Sequence, residues 1–428
     1  MKYKYYESIG EKVFSERLTN GLTLFVVQKR GFAKKFAYFA TRYGGADRRF
    51  KVGGSWLDTP EGVAHFLEHK MFDTKNGSAL AALSENGASP NAYTSTDVTA
   101  YHFECIDKFY ENLKILLSFV SVPYFTEESV SKEQGIIGQE IRMTEDRPGY
   151  AVYYNLLKCL YAHHPLRYSV AGTVDSIAQI TPQVLYDCHR IFYNPSNMVL
   201  CVVGDVDPDK ILELAANTLS PVPGEVPERD YGDAAAPVAA CGSAEITMDV
   251  GMPIFMAGFK CGETGTGIDY LKKRLTAALA IGAFAGQSSP LYSRLYSDGL
   301  ITRGFSGTFE TVCGVGHVIF TDECRAPEKV CRAIIKEARR IVRDGVDPEL
   351  FRIVKKSRRG QLLRSLNSFD NICAELADCY FNGSDAFAKA EILDTITIND
   401  ITDFIGRYFT EKRFAVSTVK PTETSTGE

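Results

Sequence analysis

The two halves of this chain end alike, and that repetition limits what it can fold into more than any other feature. The stretch Ile180-Thr-Pro-Gln-Val-Leu, followed by Phe192-Tyr193 and Met198-Val-Leu, aligns without a gap with Ile396-Thr-Ile-Asn-Asp-Ile, Tyr408-Phe409 and Phe414-Ala-Val. The offset from Ile180 to Ile396 is 216 residues, about half of the 428. Self-similarity at that period implies a duplicated unit, and the length exceeds what one ordinary core requires. The Pro-rich, then small-residue stretch 221–241 reads as a linker. The division expected is therefore residues 1–220, a linker at 221–241, and residues 242–428.

Within the first half, apolar runs at 14–18, 22–27 and 36–43 read as strands, the first two joined at Asn20-Gly21. Residues 46–58 read as a loop. Residues 89–103 read as strand, with Pro90 pointing to a sheet edge that can pair with an extended peptide. The all-apolar run 198–203 suits a buried strand. Helical patterning covers 79–86, 106–120, 126 to about 147, 150–161, 181–192 and 208–219. The second half repeats the outline, with strand at 244–260, helices at 268–285 and 291–298, and strands at 303–310 and 315–322. Helices at 326–344, 347–367 and 369–380 follow.

The chemistry concentrates in Asp58-Thr-Pro-Glu-Gly-Val-Ala-His65-Phe-Leu-Glu68-His69-Lys-Met-Phe72. Thr59 can cap a helix and Pro60 suits its first turn. On a helix running through Phe72, His65 and His69 share a face one turn apart and can grip one metal ion, with Glu68 beside them. H-x-x-E-H is the inverted zinc-protease motif. A catalytic zinc site takes three protein ligands and leaves a position for water. The helix from Thr126 offers Glu133 and Glu140 on one face and Glu145 on another, and spacing alone does not choose among them. His102, on the strand at 89–103, and His163 and His164, in a loop, read as structural.

Composition narrows the classes further. The net charge of −5 and pI near 5.9 give no general attraction to nucleic acid or anionic membrane. No 18 apolar residues run together and the start lacks an apolar signal core, so neither membrane insertion nor export is expected. Eleven cysteines without a C-x-x-C fit small buried thiols in a reducing cytoplasm better than a disulfide frame.

Taken together, the motifs resemble the pitrilysin family of zinc peptidases, which includes insulin-degrading enzyme and the mitochondrial processing peptidase. The resemblance rests on Leu18-Thr-Asn-Gly-Leu22, Gly62-Val-Ala-His65-Phe-Leu-Glu68-His69, Asn91-Ala92-Tyr93-Thr94, Glu133-x6-Glu140, His164-Pro-Leu, Gly172-Thr and Asn194-Pro-Ser-Asn-Met-Val-Leu-Cys-Val-Val-Gly-Asp205. It implies an α+β fold of two homologous α/β domains, each a mostly antiparallel sheet with helices packed on it. It also implies one Zn2+ per chain on His65, His69 and Glu140, with Glu68 as catalytic base and Glu133 as a supporting carboxylate. Peptide substrate would lie along Asn91, Ala92, Tyr93 and Thr94, inside a chamber closed by a dimer.

One stretch departs from the family pattern. Active members carry an Arg and a Tyr in an L-R-x-x-x-G-L-x-Y-like run, whereas Leu295-Tyr296-Ser-Asp-Gly299-Leu300-Ile-Thr302-Arg303 places Tyr296 and Thr302 there. Arg294 and Arg303 are out of register. Both a homodimeric endopeptidase and a metal-bearing subunit completed by an Arg/Tyr-bearing paralogue, a form suited to maturing one precursor peptide, are therefore carried forward. A non-catalytic assembly subunit is the reading from another class.

Overall fold

The structure, a computed structural model, describes residues 1–232 and 236–422; Asp233, Ala234 and Ala235 of the expected linker lie outside the described residues. Helix boundaries follow from local chemistry. Helix α1 (Val63–Met71) does not use Thr59 or Pro60 as its start. Thr59 instead donates its hydroxyl to the Arg48 carbonyl, and Gly62, at φ 91°, turns the chain into the helix. A left-handed entry of that kind favours glycine. α2 (Glu127–Glu145) opens where the Thr126 hydroxyl accepts from the Ser129 N–H, and α3 (Pro148–Leu160) starts with proline at its first turn. α4 (Pro182–Phe192) is capped by Thr181. In the second half come α5 (Gly267–Ala285), α6 (Pro290–Ser297), α7 (Pro348–Ser365) and α8 (Phe369–Phe381). The last, α9 (Ile398–Tyr408), carries a capping box between Thr397 and Asp400.

Strands β1 (Lys2–Tyr6), β2 (Glu11–Arg17), β3 (Thr23–Gln28) and β4 (Lys35–Thr41) come first. The expected loop 46–58 instead holds a hairpin, β5 (Arg49–Val52) and β6 (Ser55–Asp58), turned at Gly53-Gly54, a hairpin dipeptide. β7 (Ser89–Thr94), β8 (Thr99–Cys105), β9 (Met198–Gly204) and the short β10 (Glu228–Arg229) complete this set, and β10 pairs with β5. The main sheet has the order β1-β2-β3-β9-β4-β8-β7, antiparallel except where β9 runs parallel to β3. The second sheet uses β11 (Ser243–Met248), β12 (Ile254–Glu263), β13 (Ser306–Val312), β14 (Val315–Glu323) and β15 (Phe414–Pro421). Its order is β11-β15-β12-β14-β13, with β11 and β15 parallel and the rest antiparallel. The five strands β3-β9-β4-β8-β7 repeat this arrangement, the last strand of each half lying between the first and second. The gapless match at 216 residues thus places α4 with α9 and β9 with β15.

The chain forms two compact units that are not contiguous blocks. One comprises residues 1–141, 168–231 and 363–387; the other comprises 142–167, 232–362 and 388–428. This differs from a division into 1–220 and 242–428, and the reason is burial of sheet faces. In the first unit, one face of the sheet (Leu24, Phe39, Tyr101, Leu200) packs with Phe66, Leu67, Ile137 and Ile141 from α1 and α2. The other face (Val27, Tyr38, Ala40, Val199, Cys201, Val203) is covered by Phe369, Ile372, Cys373 and Leu376 of α8, which comes from the far half of the sequence. With both faces covered, all seven residues of β9 are buried. In the second unit, Val315, Ile319 and Ala415 are covered by Leu156, Leu157 and Leu160 of α3, which comes from the near half. Each sheet borrows one helix. Among the described residues, no helix is long and apolar enough to cross a membrane.

Candidate metal centre

Helix α1 buries Val63, Ala64, Phe66, Leu67, Lys70 and Met71. That apolar face fixes the helix in the core and leaves His65, Glu68 and His69 at its margin. α2 is anchored beside it through Val130, Ile137 and Ile141, which orients Glu133 and Glu140 from the next turns. The imidazole centroids of His65 and His69 are 4.6 Å apart. His65 Nε2 lies 3.8 Å from Glu140 Oε1, and His69 Nε2 lies 3.7 Å from Glu140 Oε2. One donor atom from each of the three residues falls within 4.8 Å of the others. Ligands about 2.0–2.2 Å from a shared tetrahedral ion stand roughly 3.3–3.6 Å apart, so this donor set fits zinc in both type and spacing. Glu145 is not part of the cluster.

The surroundings prepare the ligands. Glu133 Oε1 accepts a hydrogen bond from His69 Nδ1 at 2.9 Å, which leaves Nε2 with its lone pair on the Glu140 side. Glu133 Oε2 lies 3.9 Å from the ammonium of Lys70, a fully buried side chain that also binds Asp73. Burial, then the neighbouring His69, lowers the His65 pKa to about 4, so this imidazole is neutral and able to ligate at ordinary pH. Burial also opposes charge on His69, but its hydrogen bond to Glu133 and the carboxylates of Glu68, Glu133 and Glu140 outweigh it and raise its pKa. His65 Nδ1 is buried and has no hydrogen-bond partner among the described residues.

Glu68 projects into the same space, and its Oε2 accepts a hydrogen bond from Thr94 Oγ1 at 2.8 Å. Burial raises its pKa, with the Thr94 hydrogen bond opposing. Thr94 ends β7, the terminal strand of the sheet, whose outer main-chain edge has no strand partner among the described residues. Ala92 and Thr94 share the face toward α1. Tyr93 points to the opposite face, where its hydroxyl is 2.6 Å from that of Tyr38, and Asn91 turns its side-chain oxygen to the Ala92 N–H. The four residues at 91–94 therefore divide: Thr94 touches Glu68, Tyr93 packs away from it, and the strand edge is what they offer together.

The other histidines lie elsewhere. His102 sits against the rings of Phe36 and Tyr38 on the far face of the sheet. His164 is buried in the second unit, where its Nδ1 accepts from the Leu166 N–H. One participant escaped sequence reasoning: Lys70 braces Glu133, and its signal was a lysine directly after the motif on a helix face otherwise apolar. Thr94 was expected along the substrate strand, but its hold on Glu68, 26 residues away in sequence, is a contact that no spacing rule announces.

Comparison with known proteins identifies relatives of the whole chain. A family model described as Insulinase (Peptidase family M16) matches residues 52–174, and one described as Peptidase M16 inactive domain matches residues 179–358. A protein of Bacillus subtilis (strain 168) named as a zinc protease, YmfH, is 35% identical over 425 residues, covering 97% of this chain and 98% of that one. The mitochondrial-processing peptidase subunit beta of Neurospora crassa is 24% identical over 96% of this chain and 88% of its own. Among solved structures, an M16-like peptidase from Alicyclobacillus acidocaldarius superposes with a TM-score of 0.92 at 31% identity, covering 96% of this chain and 99% of that one.

Proposed function

This chain belongs to the insulinase family of peptidases, family M16, and from that premise we propose that it is a zinc-dependent endopeptidase acting on peptides or small unfolded polypeptides. The observation that carries the reading is the convergence of His65, His69 and Glu140 donor atoms beside Glu68, which Thr94 holds in place. His65 and His69 are the imidazole ligands of one zinc ion per chain, and Glu140 is the carboxylate ligand. A zinc ion there supplies a Lewis acid that polarises the scissile carbonyl and acidifies a water molecule. Glu68 takes the proton of the attacking water and delivers it to the leaving amine; its raised pKa suits both transfers. Thr94 keeps that carboxylate oriented. Glu133 fixes the tautomer and tilt of His69. The free edge of β7 receives the substrate main chain in extended form, placing the peptide bond next to Glu68.

A second reading has its own observation. Thr302 directs both its N–H and its hydroxyl to the Asp322 carboxylate, each at 2.6 Å, and the Tyr296 hydroxyl is 3.4 Å from Arg303 Nε. The two positions where family resemblance leads one to expect a peptide-contacting Arg and Tyr are thus occupied by other residues, and Thr302 is engaged within its own unit. On this reading the chain is the metal-bearing member of a heterodimer, as the subunit name of its Neurospora relative suggests, and a paralogous partner supplies the missing pair. A cytoplasmic setting suits either reading, since nine of the eleven cysteines are buried thiols.

The deciding experiment is zinc quantification on the purified chain together with cleavage of a quenched peptide library by the wild type and Glu68→Gln. We expect one zinc per chain in both and a loss of roughly 10²–10⁴-fold or more in cleavage by the variant. Zinc binding without cleavage by the wild type would select the heterodimer. Full activity in Glu68→Gln would overturn the catalytic assignment.

A further inference from the structure

The second unit is assembled from three separate stretches of chain, and two of them meet at a pair of cysteines. Cys159 lies in the last turn of α3, the helix this unit borrows, and Cys241 lies two residues before β11. Their sulfur atoms are 2.7 Å apart. That is outside the roughly 2.05 Å of a disulfide bond but well inside ordinary sulfur–sulfur packing. The backbones are in register too, for the Cys241 N–H donates to the Cys159 carbonyl at 3.0 Å. The segment is pinned on both sides of Cys241: the Ala239 N–H donates to Lys412 O at 2.9 Å, and Gly242 O accepts from the Val416 N–H at 3.0 Å. Cys159 is buried among the residues under α3, whereas Cys241 is the exposed cysteine. A bridge here requires the two sulfur atoms to close from 2.7 Å to roughly 2.05 Å.

We propose that Cys159 and Cys241 form a thiol–disulfide switch whose oxidant is a low-molecular-weight disulfide such as oxidised glutathione. Solvent reaches Cys241, so its thiolate attacks one sulfur of the oxidant. The sulfur–sulfur bond of glutathione breaks, one glutathione leaves as thiolate, and a mixed disulfide remains on Cys241. The Cys159 thiol then gives up its proton, and its sulfur attacks the Cys241 sulfur and expels the second glutathione. Two protein thiols are oxidised to one disulfide and one glutathione disulfide is reduced to two thiols. Burial, then the neighbouring Cys241, pushes the Cys159 thiol up to about 12. The second step is therefore the slower one, and the mixed disulfide precedes the bridge. The bridge closes a loop across 82 residues and ties the borrowed helix to the strand that begins the second half. Oxidation thus locks α3 in place and reduction releases it to hydrogen bonds and packing.

The test uses the full chain incubated with defined ratios of oxidised to reduced glutathione, digested without reduction and analysed by mass spectrometry. The expected product is a cross-linked peptide pair containing Cys159 and Cys241, lighter by two hydrogens than its reduced parts. A rise in the thermal midpoint of roughly 5 °C should accompany it. Cys241→Ser, at an exposed position, should abolish both, while Cys159→Ala should trap one glutathione on Cys241. The proposal is overturned if wild-type protein retains glutathione on Cys241 at equilibrium. It is equally overturned if Cys241 bridges to another cysteine, or if the midpoint does not rise when the 159–241 pair forms.

Discussion

Each half of the chain builds the same niche, where the helix following the second shared strand, a long later helix and the edge strand come together, and the two niches have taken opposite courses. In the first unit α1, α2 and β7 present His65, His69, Glu140 and Glu68. In the second, α5, α7 and β13 enclose a cavity of about 600 Å³ lined by Ile281, Gly282, Val354, Arg358 and Gln361. Counting back from the start of the next helix, Pro148 in one case and Phe369 in the other, Gln361 stands where Glu140 does and Val354 where Glu133 does. An amide replaces the carboxylate proposed as ligand, and an isopropyl group replaces the acid hydrogen-bonded to His69. A Cβ on Gly282 would come within 2.7 Å of Val354 Cγ1, so α5 has no room there for a ligating side chain. The lesson is that the fold supplies a niche twice, and a few side chains decide whether it offers a set of metal-ligating donors.

That contrast can be broken by moving residues of the second niche into the first. Glu140→Gln, which imports the residue at 361, should leave little zinc on the chain after dialysis and reduce cleavage by at least about 10³-fold; zinc analysis and the quenched-peptide assay read both. Glu133→Val, which imports the residue at 354, should keep the ligands but loosen His69. Zinc affinity should weaken by about 10–100-fold in competition with a chelator. In the other direction, Gly282→Ala tests the crowding of the second niche. Its collision with Val354, partly offset by the better helix propensity of alanine, should cost about 1–2 kcal/mol in denaturant unfolding, and Val354→Ala in the same chain should restore most of it. Zinc stoichiometry should not change in either of these two variants.

The smallest effect concerns a buried acid found in the first unit. Burial, then the charges of Asp378 and Asp47, raise the Asp97 pKa to about 6, above the ordinary carboxyl value it has when unfolded. A raised acid binds its proton more tightly in the folded state. Asp97 therefore adds no penalty below about pH 4, and its penalty grows through pH 6 and is complete above it. Asp97→Asn should stabilise the protein at pH 7 by on the order of 1 kcal/mol and change nothing at pH 4, as chemical denaturation at the two values would read.

How far the sequence was legible depended on the range of each contact. The His65–His69 pair is local, so four-residue spacing on a helix sufficed to find it. The buried character of β9 is also local, since the run of six apolar residues from Met198 to Val203 has few other uses. Glu140 could not be separated from Glu133 and Glu145 by spacing, because all three sit on one helix and the choice depends on how that helix docks beside α1. The start of α1 misled for a related reason: Thr59 and Pro60 carry the usual signals, but Thr59 is engaged by Arg48 and Gly62 makes the turn. The exchange of α3 and α8 left no trace in the sequence. An amphipathic helix with Val152, Leu156, Leu157 and Leu160 on one side states that it covers a sheet, not which one.

The borrowed helices also set a timetable for synthesis. The first unit lacks the cover for one face of its sheet until residues 363–387 have been made, so Val199, Cys201 and Val203 must wait for nearly the whole chain. Helix α3 emerges early and waits in turn for the strands it will cover. Neither unit can complete its core before the other half has largely been translated, although domains commonly fold one after another as the chain emerges. Long-range closure of this kind is slow and leaves apolar sheet surface open in the meantime. A ribosome stalled midway would thus hold a sticky, half-covered sheet rather than a finished N-terminal domain, and each half expressed alone would inherit that same unfinished face.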